Sequence, residues 1–140
     1  MLGTPEEVAS SGAVIDAALE VHRELGPGLL ERVYVLCLCE TLARRGHTVR
    51  TEIECPVTYR GHLFERAFRL DMLVDDRVVV EVKSVREVSR VHAAQLLTYL
   101  KLSGFRVGLL LNFNSILIKD GIVRRYNFGS GTPPYSGRPP

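Results

Sequence analysis

The stretch RLDMLVDDRVVVEVKS, Arg69 to Ser84, decides how the chain is read. Val78-Val79-Val80 predicts a buried β-strand, which Glu81 and Lys83 then interrupt. Side chains alternate along a strand, so Val79, Glu81 and Lys83 share one face and Val78, Val80 and Val82 the other. Burying a lone charge costs several kcal/mol unless it is paired or binds an ion. The Glu81–Lys83 pair is therefore either a solvent-facing salt bridge or part of a built site. Val79 on the same face favours the site.

Asp71 discriminates between the two, provided the register is known. If Asp75 to Arg77 form a three-residue loop, Val74 faces Val78 and Asp71 faces Glu81. With a two-residue loop Asp71 faces Val80, because a slip of one residue flips every side chain. Three-residue loops favour Gly in the left-handed position, and here Asp76 or Arg77 would have to take it, so local sequence leaves both registers open. In the first register two carboxylates approach to about 5 Å, which is costly unless a cation lies between them. Oxygen donors select a hard ion, Mg²⁺ or Mn²⁺. Lys83, on the same face, is placed to orient a water nucleophile or to stabilise negative charge on a phosphate. These are the parts of metal-assisted phosphodiester hydrolysis.

Working outward, Thr4-Pro5-Glu6-Glu7 has the signature of a capped helix start, while Ser10-Ser11-Gly12 favours a start at Ala13. Val14, Ala18, Val21 and Leu25 mark one helical face, and Gly26-Pro27-Gly28 ends it. Leu29 to Arg45 predicts a second helix, stopped by Gly46. Strands follow at Val49–Tyr59, where Pro56 signals an edge or a bulge, and at Leu63–Val74, joined by a turn at Arg60-Gly61. Arg77–Ser84 is the third strand. Ser89 caps a third helix over Arg90–Leu102, and Phe105–Phe113 is apolar enough for a strand covered on both sides. A last hairpin is expected from Ile116–Lys119 and Ile122–Tyr126, turning at Asp120-Gly121. Residues 1–128 read as a single domain. The tail GSGTPPYSGRPP, 129–140, has too much Gly, Pro and Ser to pack and is expected to be disordered. The order α, α, β, β, β, α, β predicts an α/β fold with a central mixed sheet flanked by helices.

The chain has 140 residues and 24% charged residues, with a net charge of only +2, which neither demands nor excludes a nucleic-acid partner. Arg44, Arg45, Arg86, Arg90, Arg124 and Arg125 are candidate phosphate contacts, although solvated surface charge is the commoner role. Cys37, Cys39 and Cys55 have no C-x-x-C spacing and read as reduced thiols of a cytoplasmic protein. No apolar run is long enough to cross a bilayer, so no membrane partner is expected. Gln95 and Tyr99, four apart, share a face of the third helix, with His92 three before Gln95; taken alone, an ordinary amphipathic helix with polar residues in water is the weightier explanation. Glu31 and Tyr34 share a face of the second helix, where the macrodipole alone explains Glu31.

Asp71 followed by Glu81-Val82-Lys83 resembles the D…(D/E)xK signature of the PD-(D/E)xK nuclease superfamily. Gln95-x-x-x-Tyr99 is similar to the QxxxY motif of its exonuclease branch. Gly28-x-x-Glu31-x-x-Tyr34 resembles the pattern naming the small bacterial GxxExxY protein family. The resemblance runs from about Ile15 to Tyr126, with Leu70 where the superfamily motif has its Pro. It implies a restriction-endonuclease-like core and a nuclease acting on DNA with Mg²⁺, for which Mn²⁺ would substitute. Asp71 and Glu81 would be metal ligands, with the Val82 carbonyl as a third oxygen and Glu31 as a further acidic group. Lys83 would be the catalytic lysine, with Gln95 and Tyr99 placing Lys83 or the phosphate. Gly28 would serve the backbone, and Tyr34 would either pack, the reading slightly favoured, or hydrogen-bond within the site. The competing reading is a non-catalytic nucleic-acid-binding or regulatory protein that keeps the fold. A homodimer would let a small domain address both strands of a duplex; the sequence leaves this open.

Overall fold

The computed structural model describes residues 3–129. From Ser130 on, the tail expected to be disordered lies outside the described residues. Of the two possible helix starts, the earlier one forms, and α1 spans Pro5–Leu25. Thr4 accepts from the Glu7 N–H (3.1 Å) and the Glu7 carboxylate accepts from the Thr4 N–H (2.8 Å), a capping box that outweighs the cost of Gly12. Helix α2 spans Glu31–Arg44 and buries Tyr34, Leu38 and Leu42.

Strands β1 (Val49–Tyr59), β2 (His62–Val74) and β3 (Val78–Lys83) form an antiparallel meander. Helix α3 (Arg90–Ser103) crosses to β4 (Val107–Asn112), which lies parallel to β3. Strand β5 (Ile122–Tyr126) pairs antiparallel with β4, completing a five-stranded mixed sheet in sequential order. The expected last hairpin does not form. Ile118–Gly121 is instead a short 3₁₀ helix that buries Ile118, and β5 takes its partner from β4. Pairing with a fully buried strand covers more apolar surface than a four-residue hairpin would.

The central strands have the two faces that alternation predicts. Val78, Val80 and Val82 join Met72, Val74, Leu109 and Leu111 beneath α1 and α2. Val79 joins Leu73, Leu110, Leu96 and Leu100 beneath α3. Each fully buried valine contributes roughly 1.5–3 kcal/mol. Gly108 lets α3 sit close, since a Cβ there would lie 2.8 Å from Leu96 Cδ1.

The β2–β3 register is the one with a three-residue loop: Val74 faces Val78. Asp75 and Asp76, not Arg77, adopt the left-handed conformation, with φ of 54° and 52°. No glycine is required because Asp tolerates this region and Asp75 is tied down. Its carboxylate accepts from Ser10 Oγ (2.7 Å) and the Thr48 N–H (3.0 Å), and His47 Nδ1 lies 2.8 Å away.

One departure from alternation concerns the site. Phe68 and Leu70 of β2 pack on the α3 side, whereas Met72 and Val74 pack on the α1–α2 side. The strand changes facing at Asp71. On β1, between the partners of Leu70 and Met72, Glu52 has a positive φ of 52°. Such irregularities re-aim a side chain or end pairing.

Candidate active site

The β2–β3 ladder runs from Val74↔Val78 to Met72↔Val80. One step further, side chains replace backbone pairing. The Asp71 N–H donates to Glu81 Oε1 (3.2 Å), and the Val82 N–H donates to Asp71 Oδ2 (2.9 Å). Each acid thus caps the strand carrying the other. This opening lies toward the carboxyl ends of the parallel pair β3 and β4, where ligands of open α/β sheets bind.

Glu81 is 3% exposed. Burial, and then the charge of Asp71, push its carboxyl up to about 9. A surface Glu81–Lys83 salt bridge is therefore excluded, and among the described residues Lys83 has no ion-pair partner. The Lys83 carbonyl accepts from the Phe113 N–H of the β4 side (2.9 Å). Carbonyls alternate along a strand, so that of Val82 points toward β2, beyond the last ladder pair.

Glu31 opens α2, and its Oε1 lies 3.4 Å from the Ser84 N–H, one residue after Lys83. Ser84 Oγ donates to the Leu29 carbonyl (2.6 Å). Tyr34 is fully buried and stacks on Phe113 at 4.3 Å, as its expected packing role requires. Its hydroxyl also donates to the Gly26 carbonyl (2.6 Å) and accepts from the Leu29 N–H (3.1 Å). Gly28 between them has φ +100°, a conformation costly for any other residue. The spaced Gly28, Glu31 and Tyr34 are thus a clasp that fastens the α1–α2 loop to the end of β3.

Tyr99 stacks on Phe68 at 4.7 Å. Burial raises its phenol, and the charges of Glu81 and Asp71 raise it further. Gln95 is half-buried one turn earlier on the same face of α3. His92 is used elsewhere: its Nδ1 accepts from the Ser89 N–H (3.1 Å), closing the α3 cap.

Asn112 is a residue that sequence reasoning missed. It is 2% exposed and stands opposite Lys83 in the β3–β4 ladder. Its side chain accepts from the Val85 N–H (3.0 Å) and donates to the Val85 carbonyl (2.9 Å), fixing the chain as it leaves β3. The available signal was one amide ending an otherwise apolar strand.

Among the described residues no three or more His, Cys, Asp or Glu side chains are gathered as a metal cluster. The acidic unit that the fold brings together is the Asp71–Glu81 pair; Glu31, expected as a further metal ligand, is not gathered with it and contacts the Ser84 N–H instead. A cavity of about 370 Å³ between α1 and α2, lined by Val21, Cys37 and Arg45 among others, contains none of these residues. No helix among the described residues is long and apolar enough to cross a membrane. In comparisons with known proteins, the family model of the PD-(D/E)XK nuclease superfamily matches residues 9–125. Comparison with curated proteins and with solved structures returned no match.

Proposed function

From the membership of this chain in the PD-(D/E)XK nuclease superfamily, we infer that it is a Mg²⁺-dependent nuclease of the GxxExxY group, acting on phosphodiester bonds of DNA in the cytoplasm. One observation carries this reading: two carboxylates from adjacent strands meet where the ladder ends, with a lysine two residues on that has no ion pair among the described residues. The donor set fits a hard divalent cation. Glu81 is buried beside a second acid, which is unfavourable for its charged form without a cation.

Asp71, Glu81 and the Val82 carbonyl would hold Mg²⁺, or Mn²⁺ in its place, with Glu31 as the flanking acid. When bound, the ion supplies Lewis-acid polarisation of the phosphodiester. Lys83 extends from a strand held through its own carbonyl, so its ammonium is delivered from a rigid base to the phosphate or the attacking water. Tyr99 and Gln95 form the α3 wall of the site and orient Lys83 or a phosphate oxygen. The clasp at Ser84 and the Asn112 bonds to Val85 hold the far side.

The test combines Mn²⁺ calorimetry with cleavage assays on plasmid and linear DNA. Wild type is expected to bind Mn²⁺, and an Asp71→Ala, Glu81→Ala double variant to lose it. Lys83→Ala is expected to keep folding and Mn²⁺ binding and to lose cleavage. Equal turnover in Lys83→Ala overturns the chemistry. Mn²⁺ binding undiminished in the double variant overturns the ligand assignment.

A further inference from the structure

The meander has a part that the sheet does not use. Strand β3 pairs with β2 only at Met72 to Val74, so the outer β1–β2 hairpin runs on without a third strand. Residues 61–67 are exposed without exception, which requires both faces of the ribbon to stand clear of the body. A register shift between Cys55 and Val57, at Pro56, separates this tip from the base. Beyond it Val57↔Phe64, Thr58↔Leu63 and Tyr59↔His62 pair, closed by Arg60 and Gly61 at φ 50° and 80°. Two successive positive φ values are the turn that suits a twisted two-residue hairpin.

The tip carries large apolar side chains in water: Tyr59 at 60% exposure, Leu63 at 59% and Phe64 at 54%. From Cys55 to Phe64 there is no acidic residue, and the charge is Arg60, whose guanidinium lies 5.3 Å from the Tyr59 ring centroid. Of the acids lower on the ribbon, Glu54 pairs with Arg66 (3.1 Å) and Glu52 lies 3.9 Å from Arg69, while Glu65, next to Phe64, is exposed. Strand β2 itself leads from this tip to Asp71.

We propose that the outer β1–β2 hairpin is an arm that lies in the major groove of duplex DNA beside the cleavage site. This rests on the nuclease reading and extends it to a substrate class. A major groove about 12 Å wide admits a two-stranded ribbon and offers thymine methyl groups to apolar side chains. The deep, narrow major groove of an RNA duplex does not admit one. Gly61 lies ten residue steps before Asp71; at about 3.3 Å per residue the tip stands about 33 Å from Asp71 along β2, close to one duplex turn. The end of the arm, Cys55 to Phe64, carries Arg60 and apolar side chains, with Glu65 the first acid behind it, and so presents a cation and apolar surface to a polyanion with apolar groove edges.

The experiment compares wild type with a Tyr59→Ser, Arg60→Ser, Leu63→Ser, Phe64→Ser variant, and with Arg60→Ala alone in case the first fails to fold. Cleavage is followed on 8-bp and 30-bp DNA duplexes in Mn²⁺, with a 30-bp RNA duplex as competitor. The quadruple variant is expected to lose about tenfold or more in kcat/KM on the 30-bp duplex and to match wild type on the 8-bp duplex. Arg60→Ala is expected to weaken binding of the 30-bp duplex and to lower the salt slope by about one. Unchanged 30-bp cleavage in both variants, with wild type active, overturns the arm and leaves the nuclease reading intact. Equal competition by the RNA duplex overturns the groove assignment. Loss of a dimer in sedimentation, with DNA affinity unchanged, reassigns the tip to self-association and overturns the proposal. A wild type that neither binds nor cleaves DNA overturns both readings.

Discussion

Replacing Glu81 by Gln removes one buried titratable group and leaves its geometry nearly intact. The amide oxygen can still accept from the Asp71 N–H, and the amide N–H groups can donate to the Asp71 carboxylate. In the folded, metal-free protein Glu81 titrates at about 9, because burial and then Asp71 disfavour its charge. In the unfolded chain a Glu titrates near ~4.3. Between these values the folded state holds a proton that the unfolded state does not. The folded pKa is raised, so this stability is fully present below about pH 4 and is lost as pH rises toward about 9. The slope is about 1.4 kcal/mol per pH unit, or about 4 kcal/mol between pH 5 and pH 8 as an upper figure. Asp75 has the opposite sign and lies outside this window. Burial opposes its ionisation, but the bonds from Ser10, His47 and Thr48 hold its carboxyl below the usual value, so its contribution is lost only under acid. Urea denaturation at intervals from pH 5 to pH 8 in EDTA is the assay. Wild type is expected to weaken steeply across the range relative to Glu81→Gln, the gap being widest at pH 8. Saturating Mn²⁺ at pH 8 is expected to restore wild type only. Superimposed pH dependences of the two proteins would refute the claim that Glu81 is buried and protonated in the metal-free fold.

Three further substitutions probe the rest of the site. Asp71→Asn is expected to weaken Mn²⁺ affinity by at least about tenfold, or about 1.4 kcal/mol, by calorimetry; unchanged affinity would remove Asp71 from the ligand set. Tyr34→Phe keeps the stack on Phe113 but leaves the Gly26 carbonyl and the Leu29 N–H without their partner. A loss of about 1–3 kcal/mol in urea denaturation is expected, and a loss within error would show the hydroxyl to be replaceable by water. Gly121→Ala would place a Cβ 2.6 Å from the Asn112 carbonyl, a backbone atom that cannot swing aside. It is expected to destabilise by about 1–3 kcal/mol, read as a lowered Tm, and an unchanged Tm would contradict the packing at the end of β4.

Asp71, Glu81 and Lys83 were legible because strand alternation is a strong local rule and the valines around them left few other readings. What local sequence left open was the register on which Asp71 depends. The groups that settle it come from far along the chain: Ser10 and Thr48 hold Asp75 in a conformation that local preference assigns to glycine. Asn112 was missed for the same reason, since its partner Val85 belongs to another segment. Tyr34 was expected to pack or to hydrogen-bond, with packing slightly favoured, and it does both; that its hydroxyl bonds to Gly26 and Leu29 depended on a loop path that spacing does not reveal. The hairpin expected at Asp120-Gly121 failed because β4 offered a better partner.

The tie between Ser10 and Asp75 has a consequence for how the site comes into being. Within residues 62–83 the turn bond from the Arg77 N–H to the Val74 carbonyl (3.0 Å) favours this register, but the pairing also confronts the hairpin with two acids. The contacts that hold Asp75 come from Ser10 of α1, the helix most distant in sequence from the hairpin, and from His47 and Thr48 ahead of β1. Pairing of the acids is therefore conditional on completion of the tertiary structure. If the proposed cation site is real, an isolated or prematurely released fragment lacks the contacts that assemble its two acids, and metal binding would report that folding of the whole domain has finished.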